Sequence, residues 1–403
     1  MKKIKVILST NGPLHLIKSA QYLSSLVDIR VIQGWVPSGN NKFLIKLLSR
    51  IVGRDILGGL KKRVPDSLKY RNISVGLPEF YYRFGKHVLN KNFSTSASKL
   101  YGNLTRKYIK NADIFHVRSG SGNEAITEAK KNGLKVIVDH SIAHPAFMDN
   151  HLKSEYEKNN SPYNLGMGSS FWQGTLIDCK NADYILVNSD FVKETFVAEG
   201  FVTEKIKVVY LGVREDFRGL KSNYYTGDKL KILFTGNFIF RKGIEYIFKA
   251  LKILDEMNFE YEMTVIGTYE SSVKLIKKFN LKNIVFKGFI PQDELKTYLA
   301  TSDVYLFPSL CEGCASSGME AMAAGLPVIA TKESGLPIEN ETSGLLIPIK
   351  DEDAIVNAIL KLNETLNFRE KIGRNASSKM ANYYTWTAYA NKVCDLYKIA
   401  LND

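Results

Sequence analysis

The chain has 403 residues, 45% of them apolar and 24% charged, which predicts a soluble chain of about two domains and excludes wholesale disorder or collagen-like repetition. Four cysteines, Cys179, Cys311, Cys314 and Cys394, are too few and too scattered for a disulfide scaffold. The net charge of +14 is uneven: residues 42–110 hold sixteen Lys and Arg against three acids, and the rest holds 39 against 38. Such asymmetry points to an anionic partner for one segment only.

The opening MKKIKVILSTNG has too short an apolar run for a signal peptide and reads as a first strand. No stretch of 18 apolar residues follows, so no membrane-spanning helix is expected. The expected location is the cytoplasm, peripheral at the inner face of the plasma membrane. Within the basic segment, Lys42, Lys46, Arg50 and Arg54 recur every four residues on one helical face. Leu44, Leu47, Leu48, Ile51 and Val52 fall largely on others. A helix of this kind can lie in an anionic bilayer interface. Phe80, Tyr81, Tyr82, Phe84 and Phe93 then interleave with Arg83, Lys86 and Lys91. That mixture suits lipid head groups or single-stranded nucleic acid, and a core helix with a solvated basic face is the plain alternative.

Short apolar runs at 4–8, 29–32, 114–117, 136–138 and 184–187 alternate with helix-length segments. The pattern restarts at 232–234, 263–266, 284–286, 304–307 and 328–330. Alternation of this kind predicts an α/β chain of two doubly wound parallel sheets, with ligand sites at the carboxyl ends of strands. The segment 208–230 reads as the linker. No Walker A and no G-x-G-x-x-G pattern occurs, and SGSGNEA at 119–125 is weak evidence alone. Cys311-x-x-Cys314 lacks a second ligand pair, so two buried or loop thiols are expected rather than zinc.

Two segments of the second half carry chemistry. FTGNFIFRKGIEYIFKALKIL reads as strand, loop and helix, with Ile244, Ile247, Phe248 and Leu251 on one face. Arg241 and Lys242 therefore precede a helix N-terminus beyond a strand end, where cations and free N–H groups suit a diphosphate. As loop cations they are also readable as solvated charges of little weight for stability. In FPSLCEGCASSGMEAMAAGLPVIA, Glu312 lies in a strand-end loop and Glu320 in the following helical turn, so both can face one cleft. Carboxylates accept paired hydrogen bonds from vicinal hydroxyls. Ser317-x-x-Glu320 is equally a capping box, in which Glu320 only satisfies a backbone N–H.

These runs, with VIG, NIVFKGFIP and SGLLIP, resemble the retaining GT-B glycosyltransferases of family four, which carry a Glu-x7-Glu motif and a Lys-Gly helix start at this spacing. The resemblance extends back through NADYILVNSDFVKETF, KVVYLGV, DHSIAHP and STNGPLH, and is weak across 40–110. It implies the GT-B fold: an acceptor-side Rossmann-like domain over 1–210, a nucleotide-sugar domain over 211–380, and a helix within 381–403 crossing back to the first. It also implies roles. Arg241 and Lys242 would hold the donor diphosphate, Glu320 the ribose, and Glu312 the transferred sugar. Backbone at Gly236, Asn237, Ala315, Ser316 and Ser317 would approach the sugar and phosphate, and Gly288, Phe289 and Ile290 would line the base. From the first domain, the Gly12 loop and His140 or His144 would face the donor sugar and acceptor, although a His before Pro145 can simply order a loop. Two departures stand out. The family's Arg after the strand-end Gly is Asn237 here, so Arg241 takes over its charge, and the Glu-Gly-x-Gly start is Glu312-Gly313-Cys314-Ala315.

The implied activity is metal-independent, cofactor-free transfer of a sugar from a UDP- or GDP-sugar to a lipid-linked or other membrane-proximal glycan acceptor, in polysaccharide or glycolipid synthesis. Residues 42–110 would meet an anionic membrane. Competing readings are a nucleotide-sugar epimerase, a phosphorylase, or a lipid- or nucleic-acid-binding module on a degenerate scaffold. The intact Glu312, Glu320, Arg241 and Lys242 set argues against degeneration.

Overall fold

The computed structural model describes residues 3–12, 15–36, 63–69, 71–89, 91–225 and 227–403. The predicted basic helix over 42–54 lies outside the described residues. Among those described, the first half builds a parallel sheet of seven strands: β1 (Lys5–Thr10), β2 (Asp28–Gln33), β3 (Asn72–Ser74), β4 (Ile114–Arg118), β5 (Lys135–His140), β6 (Tyr184–Val187) and β7 (Ile206–Val208). Their order is β3-β2-β1-β4-β5-β6-β7. The second half adds a parallel sheet from β8 (Leu230–Thr235), β9 (Tyr261–Ile266), β10 (Ile284–Gly288), β11 (Val304–Phe307), β12 (Val328–Thr331) and β13 (Leu345–Ile347), ordered β10-β9-β8-β11-β12-β13. Each predicted apolar run falls on a strand. Several are buried along their whole length, as β11 and β12 are, because helices cover both faces of a parallel sheet.

Both orders reverse once, between β1 and β4 and between β8 and β11. At these switch points successive crossovers leave on opposite faces of the sheet, so a crevice opens beyond the strand ends. The loops after β1, β4, β8 and β11 carry Gly12, Ser119, Arg241 and Glu312 respectively.

The predicted linker is docked rather than loose. Gly219 and Lys221 donate backbone bonds to the carbonyls of Ala323 and Ala324, and Phe217 is buried. The chain crosses between domains a second time beside the first crossing, where Val213 N–H donates to Tyr384 O at 2.8 Å. There Gly212 is obligatory: a Cβ would stand 2.3 Å from Trp386 N. The last helix, Trp386–Asn402, buries Tyr389, Val393, Leu396, Tyr397 and Ala400 against Leu16, Ile17, Ala20 and Leu23 of the first helix, α1 (His15–Leu23). Tyr397 hydroxyl also meets His116 Nδ1 at 2.7 Å. Burying each large apolar side chain of this face stabilises the fold by about 1.5–3 kcal/mol. Among the described residues no helix is long and apolar enough to cross a membrane.

Candidate active site

The ends of β8, β9 and β10 are tied together by glycine backbone. Gly236 N–H donates to Ile266 O, and Gly267 N–H to Gly288 O, each at 2.8 Å. A Cβ on Gly267 would lie 2.2 Å from Gly236 O, so only glycine permits this approach. Gly236 and Gly288 face open space, and Phe289 beside them is 93% exposed, while Ile290 is half-buried. Asn237 Oδ1 accepts from Thr268 Oγ1 at 2.7 Å, so its side chain braces the β8 loop.

Past β8 the chain makes a 3-10 turn, Phe240–Lys242, before the helix Ile244–Glu256. Gly243 joins them at φ 71°, where a Cβ would stand 2.0 Å from Pro308 O. This packing presses the turn against the loop after β11. Arg241 O accepts from Leu310 N–H at 2.9 Å and from Ser309 Oγ at 3.1 Å. Both cations then converge on one carboxylate. Arg241 lies 2.5 Å from Glu312 Oε1, Lys242 Nζ is ion-paired with the same oxygen, and Arg241 also donates to Cys311 O at 2.6 Å. Lys242 Nζ sits 4.4 Å from the Phe307 ring centroid. Burial opposes the charge of Glu312, yet Arg241 and Lys242 outweigh it and hold the carboxyl below its usual range. Burial pulls the Lys242 ammonium down, partly offset by Glu312. The expectation of an exposed Lys242 is therefore corrected: the residue is 9% exposed, because the turn lays its stem across Phe307.

The next helix is Ser316–Ala324, with Ala315 as its N-cap. Ser316 and Ser317 thus occupy the first turn, whose N–H groups have no intrahelical acceptor and point out of the N-terminus. Glu320 is the fifth helical residue, too far along to bond the N-cap, which removes the capping-box alternative. Instead it lines a 120 Å³ pocket with Ser316, His15, Lys18, Arg214 and Trp386. Burial pushes the Glu320 carboxyl up to about 7, against the pull of Arg214 and Lys18.

That shift has a sign. Between the ordinary 4.5 and about 7 the folded chain holds a proton that the unfolded chain has released. Stability from this group is therefore present below 4.5 and lost as pH rises to about 7. Glu320→Gln should flatten that slope in unfolding midpoints measured from pH 5 to 8. It should also weaken nucleoside diphosphate binding most above pH 7, where wild type carries the carboxylate. Parallel pH profiles for the two proteins would refute this account of Glu320.

The first-domain switch point has its own clamp. Asp178, on the helix Ser170–Lys180, accepts from the N–H groups of Gly120 (2.8 Å), Gly122 (2.9 Å) and Asn123 (2.8 Å). This fixes the loop after β4, where Asn123 holds a left-handed φ of 43°. Ser119 in that loop meets His140 Nδ1 at 2.9 Å, and His140 Nε2 is buried without a hydrogen-bond partner. Burial, and then Arg118, push His140 down to about 3, so it is neutral at physiological pH. Gly12 lies beyond β1 with open space where a Cβ would stand. His144 goes elsewhere. Its Nδ1 caps the helix Pro145–Glu157 by accepting Ala146 N–H at 3.2 Å, and its ring packs on Phe196 and Phe201. It orders that helix, as the loop-ordering alternative allowed.

The two switch points meet at Gly313, where a Cβ would stand 2.0 Å from Ser141 O. Ser189 Oγ donates to Gly313 O at 2.5 Å, seating the Glu312 loop against the ends of β5 and β6. Sequence reasoning missed Lys18, Arg214, Asp178 and the buried Asp139. Burial opposes the Asp139 charge, but His15 at 3.0 Å, His116 and Arg118 hold its carboxyl well below the usual range. Asp139 directly precedes His140 in DHS; nothing local links either to His15.

Residues 220–379 match the family model of glycosyl transferases group 1. That match lies wholly within the second domain and spans 160 of the chain's 403 residues. Over 194 residues the chain is 33% identical to the amylovoran biosynthesis glycosyltransferase AmsK of Erwinia amylovora, covering 45% of this chain and 48% of that protein. It is 26% identical to the Escherichia coli UDP-Gal:alpha-D-GlcNAc-diphosphoundecaprenol alpha-1,3-galactosyltransferase, over 46% of this chain and 48% of that one. The chain spans about half the length of these curated relatives. Sucrose-phosphate synthase from Thermosynechococcus elongatus superposes over 99% of this chain and 100% of that one, with a TM-score of 0.70 at 16% identity. The fold is accordingly GT-B, two Rossmann-like domains facing a cleft.

Proposed function

We propose that the chain is a retaining, metal-independent glycosyltransferase that moves a sugar from a UDP- or GDP-sugar to a lipid-linked or other membrane-proximal glycan acceptor in polysaccharide synthesis. The observation that carries the reading is the Arg241–Glu312–Lys242 cluster at the β8/β11 switch point, beside the N-terminus of the Ser316 helix. Breaking a sugar–phosphate bond puts negative charge on the leaving diphosphate and positive charge on the anomeric carbon. Two cations and helix N–H groups oppose the first charge, which is commonly the largest catalytic contribution. Glu312 pairs with both cations and leaves the cluster a net positive charge; a diphosphate takes the cations over and frees the carboxylate toward the sugar. Attack then comes from the face the diphosphate leaves, and a donor phosphate oxygen takes the acceptor proton. Glu320 binds the ribose hydroxyls. The names of the polysaccharide-synthesis relatives support the acceptor class.

The test is a thermal-shift series with UDP, GDP, ADP, CDP and TDP, run with and without EDTA. One of these should raise the unfolding midpoint, since a ligand that binds only the folded state stabilises it. EDTA should leave that shift and the turnover intact. A flat response to all five would remove the transferase reading, and a metal requirement would remove the proposed charge arrangement.

The membrane-proximal part rests on residues 42–110. The helix Leu77–His87 exposes Leu77, Phe80 and Phe84 on one stripe, continued by Val88, with exposed Arg83 and Lys86 beside it. An apolar stripe flanked by cations fits an anionic bilayer surface. The triple change Lys46→Glu, Arg50→Glu and Arg54→Glu should abolish flotation with phosphatidylserine vesicles while nucleotide binding persists. Equal flotation of both proteins would return the segment to a solvated face.

A further inference from the structure

The crevice beyond β1 and β4 opens into two cavities that share Ser94, Phe171 and Trp172. The inner one, of 400 Å³, reaches Asn11 and His140; the outer one, of 770 Å³, runs past Asn92, Thr95, Asp149 and Lys153. Both volumes lie within the range of small-ligand sites. Two features say what would fill them. His140 Nε2 and Asn11 Oδ1 are buried without hydrogen-bond partners, and His140 itself is 1% exposed. Buried polar atoms left orphaned call for a partner, and a ligand hydroxyl can serve either atom, since it both donates and accepts. Trp172 and Phe171 stand edge to face at the neck, 5.3 Å between centroids, offering ring surface to the apolar face of a pyranose. Past the neck the lining is mainly amide and hydroxyl with one charge of each sign, and Leu165 and the Tyr163 ring are its apolar groups, a poor match for an isoprenoid chain and a good one for a polyhydroxylated ligand.

We propose that the joined cavities form an acceptor groove for an oligosaccharide of at least two sugar units, the terminal unit against His140 and the next against Trp172. The inference rests on the glycosyltransferase reading and narrows its acceptor: recognition is of the glycan beyond its terminal sugar, not of the lipid alone. A longer glycan gains contacts in the outer cavity that a single sugar cannot reach.

The experiment applies the fluorescently labelled full chain to an array of immobilised glycans from mono- to hexasaccharides. Binding is expected only for disaccharides and longer. Trp172→Ala should weaken it by about thirtyfold, the loss usual for a buried aromatic anchor. Gly168→Trp provides a second variant: a Cβ there meets nothing within 4 Å, so the fold tolerates it while the indole fills the outer cavity. It should abolish binding of the longer glycans. Equal binding of mono- and oligosaccharides, a blank array, or unchanged binding by both variants would overturn the groove. A Trp172→Ala protein that lost vesicle binding instead would assign the cavity to lipid and overturn it equally. The nucleotide thermal shift of each variant should match wild type, so loss of the groove and loss of the transferase reading give different results.

Discussion

Glu312→Ala is expected to lower turnover by about 10²–10³-fold, the usual cost of removing one preorganised electrostatic group. In the free protein Glu312 is the shared counterion of Arg241 and Lys242. Its removal leaves two largely buried cations unpaired, a loss of about 3–5 kcal/mol where one partner of a buried pair is deleted. The variant should therefore unfold at lower temperature than wild type. A nucleoside diphosphate restores the missing negative charge, so its thermal shift should be larger in the variant than in wild type. Glu312→Gln keeps the volume and loses the charge; it should follow the alanine variant in both respects. Nucleotide affinity that fell along with turnover would mean Glu312 acts chiefly by holding the Arg241 turn in place.

Asp178→Ala should destabilise the chain by about 3 kcal/mol or more, because three backbone N–H groups lose their acceptor at about 1–3 kcal/mol each. The value sits toward the lower end, since burial already works against this carboxylate and pushes it up to about 6. Asp178→Asn retains one acceptor oxygen and should fall between. The loop after β4 also carries Ser119, which holds His140 Nδ1, so the alanine variant should lose turnover as well as stability. Urea unfolding of the three proteins tests the order. An alanine variant as stable as wild type, or an asparagine variant less stable than alanine, would show that the loop is held by something other than Asp178.

The helix and strand pattern was legible because it is local. Every apolar run read as a strand is one, since burial on both faces of a parallel sheet writes continuous hydrophobic residues into the chain. The strands Asn72–Ser74, Ile206–Val208 and Leu345–Ile347 were not recognised. They are edge or near-edge strands of three residues, too short to show a period, and pairing alone defines them. Arg241, Lys242 and Glu312 were legible as candidates because each lies just past a strand end and is the type of group the chemistry requires. Their convergence on a single carboxylate oxygen was not, nor was the burial of Lys242 over Phe307; both follow from packing at Gly243 and Pro308.

Glu320 was ambiguous between cap and ligand until the helix start at Ser316 decided it. His140 and His144 looked alike in DHSIAHP, yet one ends β5 beside the crevice and the other caps a helix against Phe196 and Phe201. By itself, then, the sequence determined the two-domain α/β architecture, the strand ends that bear the site, and the charged groups available there. Tertiary structure alone decided which of those groups meet, which are buried, and how Asp178, Asp139, His15 and Lys18 join them. Periodicity and turn chemistry act over a few residues, whereas the Asp178 clamp and the His15–Asp139 pair link segments 55 or more positions apart.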